Sequence, residues 1–354
     1  MSDRDMTAEL QERVRAARDP HTPLSIRGGG SKAFYVRDVH GETLDVGGHA
    51  GIVRYEPTEL VISARAGTPL RDIEAALAQH GQMLAFEPPH FSERATLGGT
   101  VACNLSGPRR AWAGAARDFV LGCRIVNGRG EVLAFGGEVM KNVAGYDVSR
   151  LMCGAFGTLG VLLEVSLKVL PRPEAETTLC LAVDGRKALT RLHDWAQQPL
   201  PLSASCHDGS NLYVRLSGAA GAVAAARKLV GGDELPDTAR FWTRLREQQL
   251  GFFDTRQPLW RLSLASDAAP LPLAGKWLYE WGGALRWLVS DESPESIRAA
   301  AETAQGHATL FRGAPAGSAV FHPLPDALLS IHRKLKQAFD PDGILNPGRL
   351  YPDF

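Results

Sequence analysis

Arg27-Gly28-Gly29-Gly30-Ser31-Lys32 follows directly on the apolar run Leu24–Ile26, and this junction decides how the first half of the chain is read. Consecutive glycines permit positive φ and remove side chains, so backbone N–H groups can crowd around an anion. Ser31 adds a hydroxyl donor, and Lys32 or Arg27 a positive charge. A strand running into such a loop suits a pyrophosphate. The stretch is not G-x-G-x-x-G, no helical pattern follows it, and it lacks the Lys-Ser/Thr ending of a P-loop. Both common nucleotide loops are therefore excluded. Taken alone, three glycines also read as a flexible turn.

Four further stretches have the same character. Ala95-Thr96-Leu97-Gly98-Gly99-Thr100-Val101-Ala102-Cys103-Asn104-Leu105-Ser106-Gly107-Pro108-Arg109 packs small residues, hydroxyls and an amide into one run. Backbone can approach a flat ligand closely there, and Asn104 and Ser106 can hydrogen-bond its edge. Lys141-Asn142-Val143-Ala144-Gly145-Tyr146-Asp147 is the third stretch, and Gly154-Ala155-Phe156-Gly157-Thr158-Leu159-Gly160-Val161 the fourth. The fifth is Phe339-Asp340-Pro341-Asp342-Gly343-Ile344-Leu345-Asn346-Pro347-Gly348-Arg349. Each by itself reads as an ordinary turn.

Around these stretches the apolar pattern divides the chain. Leu24–Arg27, Gly51–Tyr55, Leu60–Ala64, Val120–Val126, Val132–Phe135 and Val161–Val169 read as strands. Leu70–His80 reads as a helix ending at Gly81. Leu163, Val165, Leu167 and Val169 alternate with polar residues, as a half-buried strand does, until Pro171-Arg172-Pro173 stops it. Residues 1–173 thus form one domain. Residues 174–325 alternate strands (Thr177–Val183, Leu202–Cys206, Leu212–Leu216, Trp260–Ala265, Lys276–Trp281, Ala284–Val289) with helices (Arg186–Gln197, Ala219–Val230, Glu295–Gln305). That is an antiparallel sheet with helices on one face, with Gly282-Gly283 as a tight hairpin turn. Residues 326–354 hold a last amphipathic helix, Asp326–Phe339, and a turn-rich tail. The fold class is α+β.

Bulk properties exclude several functions. The 354 residues carry 39 Lys+Arg and 39 Asp+Glu, so nothing global attracts nucleic acid or an anionic membrane. No apolar stretch has the length to span a bilayer, and residues 1–18 are charged rather than signal-like. A cytoplasmic protein is expected, at most held peripherally at a membrane through partners. Cys103, Cys123, Cys153, Cys180 and Cys206 are widely spaced without C-x-x-C, which argues against disulfides, zinc or an iron–sulfur cluster in this chain.

In this order the five stretches resemble the PCMH-type FAD-binding domain of the vanillyl-alcohol oxidase-like flavoproteins, closely over residues 20–173 and again at Asn346-Pro347-Gly348. Within that superfamily the chain looks like the FAD-binding E subunits of glycolate oxidase, in Ile26–Tyr35, Tyr55–Leu70, Phe86–Gly107, Gly136–Asp147 and Phe339–Tyr351. The resemblance implies a PCMH-type domain, a smaller cap domain and a C-terminal segment returning to the first. It implies FAD, with Gly28, Gly29, Gly30, Ser31 and Lys32 around the pyrophosphate. Thr96, Leu97, Gly98, Gly99, Asn104, Ser106 and Gly107 would lie along the flavin and its linker. Gly157, Thr158, Leu159, Gly160 and Val161 would line the adenosine side, Asp118 would border the cofactor, and Asn346, Pro347 and Gly348 would return near the ring. Many relatives attach the flavin covalently through a His in the glycine loop. Gly30-Ser31-Lys32 has none, so the FAD is expected to be non-covalent. The resemblance further implies oxidation of glycolate to glyoxylate beside a sister FAD-containing catalytic subunit and an iron–sulfur subunit.

A catalytic centre is harder to find. Oxidising a 2-hydroxy acid needs a base, a cation for the carboxylate and a Cα–H facing the flavin. His207-Asp208-Gly209-Ser210-Asn211-Leu212-Tyr213 only superficially resembles the His-rich metal run of D-lactate dehydrogenases and reads as a hairpin turn. No histidine pairs with another at metal-ligand spacing, so no metal is expected. His332, on the tail helix, is the one weak catalytic candidate. Arg215, Arg261 and Arg286 lie on strands, where each reads as a solvated charge or a carboxylate clamp. Trp277, Tyr279, Trp281 and Trp287 read either as packing against helices or as a subunit contact. Three functions stay open: an electron-transferring FAD subunit, a self-sufficient glycolate or D-lactate dehydrogenase, and a structural subunit.

Overall fold

A computed structural model describes residues 3–137, 147–313, 318–352 and 354. The third glycine-bearing stretch, 141–147, falls outside them except for Asp147. The chain divides into two compact units: residues 1–105, 115–171 and 323–354 in the first, and residues 106–114 and 172–322 in the second. Residues 106–114 are the main difference from a division at 173, because Arg109 in them is buried against Glu176 of the second unit at 2.7 Å.

The first unit begins with α1 (Thr7–Arg18), followed by β1 (Leu24–Arg27) paired in parallel with β2 (Glu42–Asp45). β3 (Ile52–Glu56) and β4 (Val61–Arg65) lead into α2 (Leu70–Ala78), which buries Leu70, Ile73 and Leu77 at i, i+3 and i+7. β5 (Gln82–Met83) precedes α3 (Leu97–Cys103). The one-turn helix α4 (Arg110–Ala113) belongs to the second unit. The first unit resumes with α5 (Ala116–Phe119), β6 (Val120–Val126), β7 (Val132–Gly136), α6 (Val148–Leu151), β8 (Val161–Lys168) and β9 (Leu170–Pro171). Among the described residues an antiparallel sheet runs β3-β4-β8-β6-β7. Its central strand β8 keeps the alternation read from the sequence: Leu163, Val165 and Leu167 are fully buried. Its other face is a polar ladder, with Glu164 paired to Arg124 and Ser166 Oγ 2.7 Å from Ser63 Oγ.

The second unit is built on an antiparallel sheet. Its elements are β10 (Ala175–Ala182), α7 (Gly185–Ala196), β11 (Leu202–His207), β12 (Asn211–Gly218), α8 (Ala220–Val230), β13 (Asp233–Glu234) and α9 (Thr238–Arg246). β14 (Leu259–Ser263), β15 (Lys276–Glu280), β16 (Leu285–Val289), α10 (Pro294–Thr303) and β17 (His307–Arg312) complete it. The strand order is β13-β10-β12-β11-β15-β16-β14-β17. Alternate residues Leu212, Val214 and Leu216 of β12 pack with Ala188 and Leu192 of α7 and Val223 and Ala226 of α8. Two helix starts follow local chemistry: Asp184 accepts from Lys187 N–H, and Ser293 caps a helix with Pro294 at its first turn.

Several local expectations change here. Leu97–Cys103 is a helix rather than an ordinary turn, because Leu97 and Val101 have a buried face to fill and Thr96 supplies the N-cap. Gly282-Gly283 is not a two-residue hairpin turn. A 3-10 turn, Trp281–Gly283, joins β15 and β16. Tyr279, Trp281 and Trp287 are buried within the chain, and Trp277 is partly so, which removes them as an exposed subunit contact. Arg215 and Arg286 are also buried rather than solvated. Arg286 donates to the carbonyls of Gly283, Ala268 and Ala269, and Arg215 donates to Ser203 Oγ at 3.0 Å.

The C-terminal segment belongs to the first unit. α11 (Asp326–Phe339) is amphipathic, yet its buried residue is Lys336. The Lys336 ammonium donates to Thr158 O at 2.9 Å, Leu345 O at 2.7 Å and Asp340 Oδ2 at 2.6 Å. The Asp340 carboxylate also accepts from Ile344 and Leu345 N–H. Burial lowers the Lys336 pKa and Asp340 opposes that shift. Removing one partner of a buried, hydrogen-bonded pair strands the other charge. Lys336→Met should therefore cost about 3–5 kcal/mol in urea-induced unfolding. Ile331→Ser, at a half-exposed position of the same helix, should cost under about 1 kcal/mol. Equal midpoints for the two variants would contradict this account.

Candidate functional site

The first unit brings four of the five stretches together. β1 carries the glycine loop onto the start of α3, where Gly28 lies so close to Thr96 that a Cβ would stand 2.7 Å from its hydroxyl. A Cβ at Gly29 would run into the carbonyl of Arg94. Only glycine fits this approach. Among the described residues the N–H groups of Gly29, Gly30 and Ser31 make no hydrogen bond within the chain. They remain available to an acceptor. Lys32 is buried, with Nζ 3.3 Å from Ser31 Oγ and 5.8 Å from the centre of the Phe91 ring.

The start of α3 is used differently. Leu97 N–H donates to Thr68 O, Gly98 N–H to Ala66 O, and Gly99 N–H to Thr96 Oγ1 at 3.3 Å. These donors are committed to the protein, so this stretch offers a close backbone surface rather than an anion cradle. At the other end Asn104 adopts the left-handed conformation (φ 51°) that closes the helix, and its Oδ1 accepts from Arg117 N–H at 3.3 Å. The fourth stretch docks beside it, with Gly154 N–H on Val101 O and Phe156 N–H on Ala102 O. Ser106 and Gly107 lie in the second unit, where Gly107 O accepts from Trp281 Nε1 at 3.0 Å.

Asn346 closes the arrangement. The segment Ile344–Asn346 runs parallel to β1, with Leu24 N–H on Ile344 O at 2.7 Å and Asn346 N–H on Leu24 O at 3.0 Å. The buried Asn346 side chain accepts from Ile26 N–H at 2.8 Å and donates to Phe156 O at 2.6 Å. Gly157 is held at φ +73° beneath it, where a Cβ would come within 2.7 Å of Nδ2. One amide thus joins the strand before the glycine loop to the fourth stretch. Thr158 Oγ1 donates to Ala155 O at 2.7 Å, and Gly160 and Val161 lead into β8. Leu159 is buried, and Pro347 and Gly348 continue the turn beyond Asn346.

The remaining candidates are placed less suggestively. Asp118 is exposed and accepts from Ala115 N–H at 2.8 Å, capping its own short helix. His332 packs against the rings of Tyr351 (6.4 Å) and Phe354 (5.8 Å), and burial lowers its pKa. Asp208 is the hairpin turn read from the sequence, its carboxylate accepting from Ser210 and Asn211 N–H. Burial pushes the Cys123 thiol up to about 11 and the Cys153 thiol up to about 12. Lys336 and Asp340 were not singled out as a pair from the sequence: their i, i+4 spacing shows that they can meet, but not that they are buried.

Residues 5–136 match the FAD binding domain family, and residues 324–350 match the C-terminal domain of FAD linked oxidases. Over 349 residues the chain is 54% identical to the glycolate oxidase subunit GlcE of Escherichia coli (strain K12), covering 99% of this chain and 98% of that protein. The glycolate oxidase subunit GlcD of Bacillus subtilis (strain 168) is 35% identical over 130 residues, 36% of this chain and 27% of that subunit. In structure the chain is similar to alkyldihydroxyacetonephosphate synthase, with a TM-score of 0.69 at 16% identity, covering 96% of this chain and 75% of the synthase. Fold and matches together define a PCMH-type flavoprotein, an FAD-dependent oxidoreductase. Within that class the chain belongs to the family of glycolate oxidase E subunits.

The residues present fit FAD. The unpartnered N–H groups of Gly29 to Ser31 and the crowding at Gly28 and Gly29 make a backbone cradle that a side chain would fill. Gly29→Ala should therefore abolish FAD binding. Asn346→Ala would leave Ile26 N–H and Phe156 O without their partners, at about 1–3 kcal/mol each. It should weaken FAD binding and lower the melting temperature together, by flavin fluorescence titration and thermal unfolding. FAD affinity unchanged in Gly29→Ala would refute the cradle.

Proposed function

We propose that this chain is the FAD-holding, electron-transferring subunit of a complex that oxidises glycolate to glyoxylate. The observation that carries the reading is the full-length likeness to the E. coli glycolate oxidase subunit GlcE. The convergence of the glycine loop, α3, the fourth stretch and Asn346 in one unit supports it. Glycolate must lose two electrons and two protons to become glyoxylate. FAD, when bound, accepts the electron pair. The Gly28–Lys32 loop would hold its pyrophosphate, α3 from Thr96 to Asn104 would back the cofactor, and Gly157–Val161 would line its adenosine side. Asp118 is assigned to its border, and Asn346–Gly348 to the structural support behind it.

We assign the base to a sister FAD-containing subunit rather than to this chain. His332 faces aromatic rings, Asp208 is tied into a hairpin, and the buried Arg215 and Arg286 are hydrogen-bonded to their own chain. Among the described residues no three His, Cys, Asp or Glu side chains are grouped to hold a metal. An iron–sulfur subunit would take the electrons onward. Among the described residues no helix is long and apolar enough to cross a membrane, and we place the complex in the cytoplasm or at a membrane surface. The FAD is non-covalent in this reading, because Gly30-Ser31-Lys32 offers no histidine.

The chain expressed alone should bind FAD and release it on denaturation. Under anaerobic conditions glycolate should bleach the flavin absorbance only when the sister subunit is present. Bleaching by glycolate or D-lactate without that subunit would make this a self-sufficient dehydrogenase. Absence of bound flavin would make it a structural subunit, and flavin retained on the denatured chain would refute non-covalent binding.

A further inference from the structure

Arg349 is the residue of the C-terminal turn that the assignments above leave unused. Its backbone is fixed from both sides. Arg349 N–H donates to Asn346 O at 3.2 Å, and Asn346 is itself anchored on Ile26. Gly348 O accepts from Arg37 Nε at 3.0 Å, and Gly348 N–H donates to Phe354 O at 3.1 Å. The parallel register of Leu24 with Leu345 directs this turn toward the end of β1 that opens into the glycine loop.

The guanidinium group is drawn inward. Arg349 Nε is shielded from solvent and has no hydrogen-bond partner among the described residues. The charged and titratable groups that act on it are Arg27, Asp38 and Cys103, and Cys103 in turn feels Lys32. Burial and the like charge of Arg27 disfavour the Arg349 cation, while Asp38, an exposed carboxylate, favours it. Cys103 is no counter-ion: burial pushes its thiol up to about 11, so it stays protonated at neutral pH. Arg349 therefore stands within electrostatic reach of Arg27 at the start of the glycine loop, Cys103 feels both Arg349 and Lys32, and among the described residues the N–H groups of Gly29, Gly30 and Ser31 make no hydrogen bond. A shielded donor without an acceptor is costly, and a guanidinium fork matches phosphate oxygens in geometry as well as charge.

We propose that Arg349 binds the diphosphate of FAD, donating from the C-terminal turn to an anionic oxygen held by the Gly28–Lys32 loop. This rests on the FAD reading above and adds a charged contact from the far end of the chain. It explains why a half-buried guanidinium stands beside the like charge of Arg27.

The full-length chain is compared with Arg349→Met and Arg349→Lys, each stripped of flavin. FAD affinity is read by flavin fluorescence quenching, and ADP, which carries the diphosphate without the flavin, is used as a competitor. Arg349→Met should raise the Kd for FAD at least about tenfold, as expected for a lost charge-assisted hydrogen bond. It should weaken ADP in parallel and flatten the salt dependence of FAD binding. Its flavin-free form should melt no lower than wild type, because the substitution removes a repelled, unpartnered cation. Arg349→Lys should recover part of the affinity.

The proposal is overturned if Arg349→Met binds FAD as wild type does. It is equally overturned if FAD weakens while ADP does not, which would place the contact at the flavin end. A lowered melting temperature of the flavin-free variant, with FAD affinity unchanged, would make the role structural. A wild-type chain that binds no FAD would instead overturn the functional reading.

Discussion

Lys336 carries an ammonium group into the interior of the first unit, largely out of reach of solvent. Such a charge is tolerable only when acceptors surround it. Three acceptors do so, from two distant parts of the chain: Thr158 O within the fourth stretch, and Asp340 Oδ2 and Leu345 O within the fifth. One buried charge thereby fixes where the segment 340–346 must lie. That segment places Asn346 between Ile26 and Phe156, and Ile26 sits one residue before the Arg27-Gly28 junction. The position of the glycine loop depends on this chain of contacts as much as on the β1–β2 pair.

The same contacts separate two kinds of residue that a sequence motif mixes together. In the glycine loop, N–H groups are left for a ligand and side chains are absent because Arg94 and Thr96 press from behind. At the start of α3 the glycines serve packing instead, since Gly98 lies on Ala66 and its N–H is bonded there. Asn346 resembles a ligand contact in the sequence, yet its amide holds two backbone groups in place. A cofactor site needs both kinds. A cradle held loosely would lose the geometry on which affinity rests.

Much of the framework was legible because its physics is local. The β8 alternation of Leu163, Val165 and Leu167, the Leu70–Ile73–Leu77 stripe and the caps at Asp184 and Ser293 each follow from side chains within one element. Non-local features were not legible. Residues 106–114 join the second unit because Arg109 meets Glu176, 67 positions away. Arg215 and Arg286 read as solvated strand charges, since nothing in their neighbours shows that carbonyls at 268, 269 and 283 would enclose one of them. Aromatic residues on β15 and β16 alternate as a surface patch would, and only the tertiary packing of Trp287 on Phe253 and Phe311 shows them to be interior. The candidate site was expected only as an ordered set of stretches carried by family resemblance, whereas the buried Lys336–Asp340 pair behind it came from distances.

The first unit is assembled from three separate stretches of sequence, so its parts leave the ribosome far apart in time. Residues 24–32 emerge early and the strand partner at 344–346 emerges more than three hundred residues later. At ribosomal rates of about 5–20 residues per second, β1 waits on the order of fifteen seconds to a minute for that partner. During that interval the glycine loop lacks its C-terminal support, and the second unit, all of which lies between the two in sequence, has the opportunity to fold first. The last contacts that support the glycine loop therefore form only after the whole of the second unit has been synthesised.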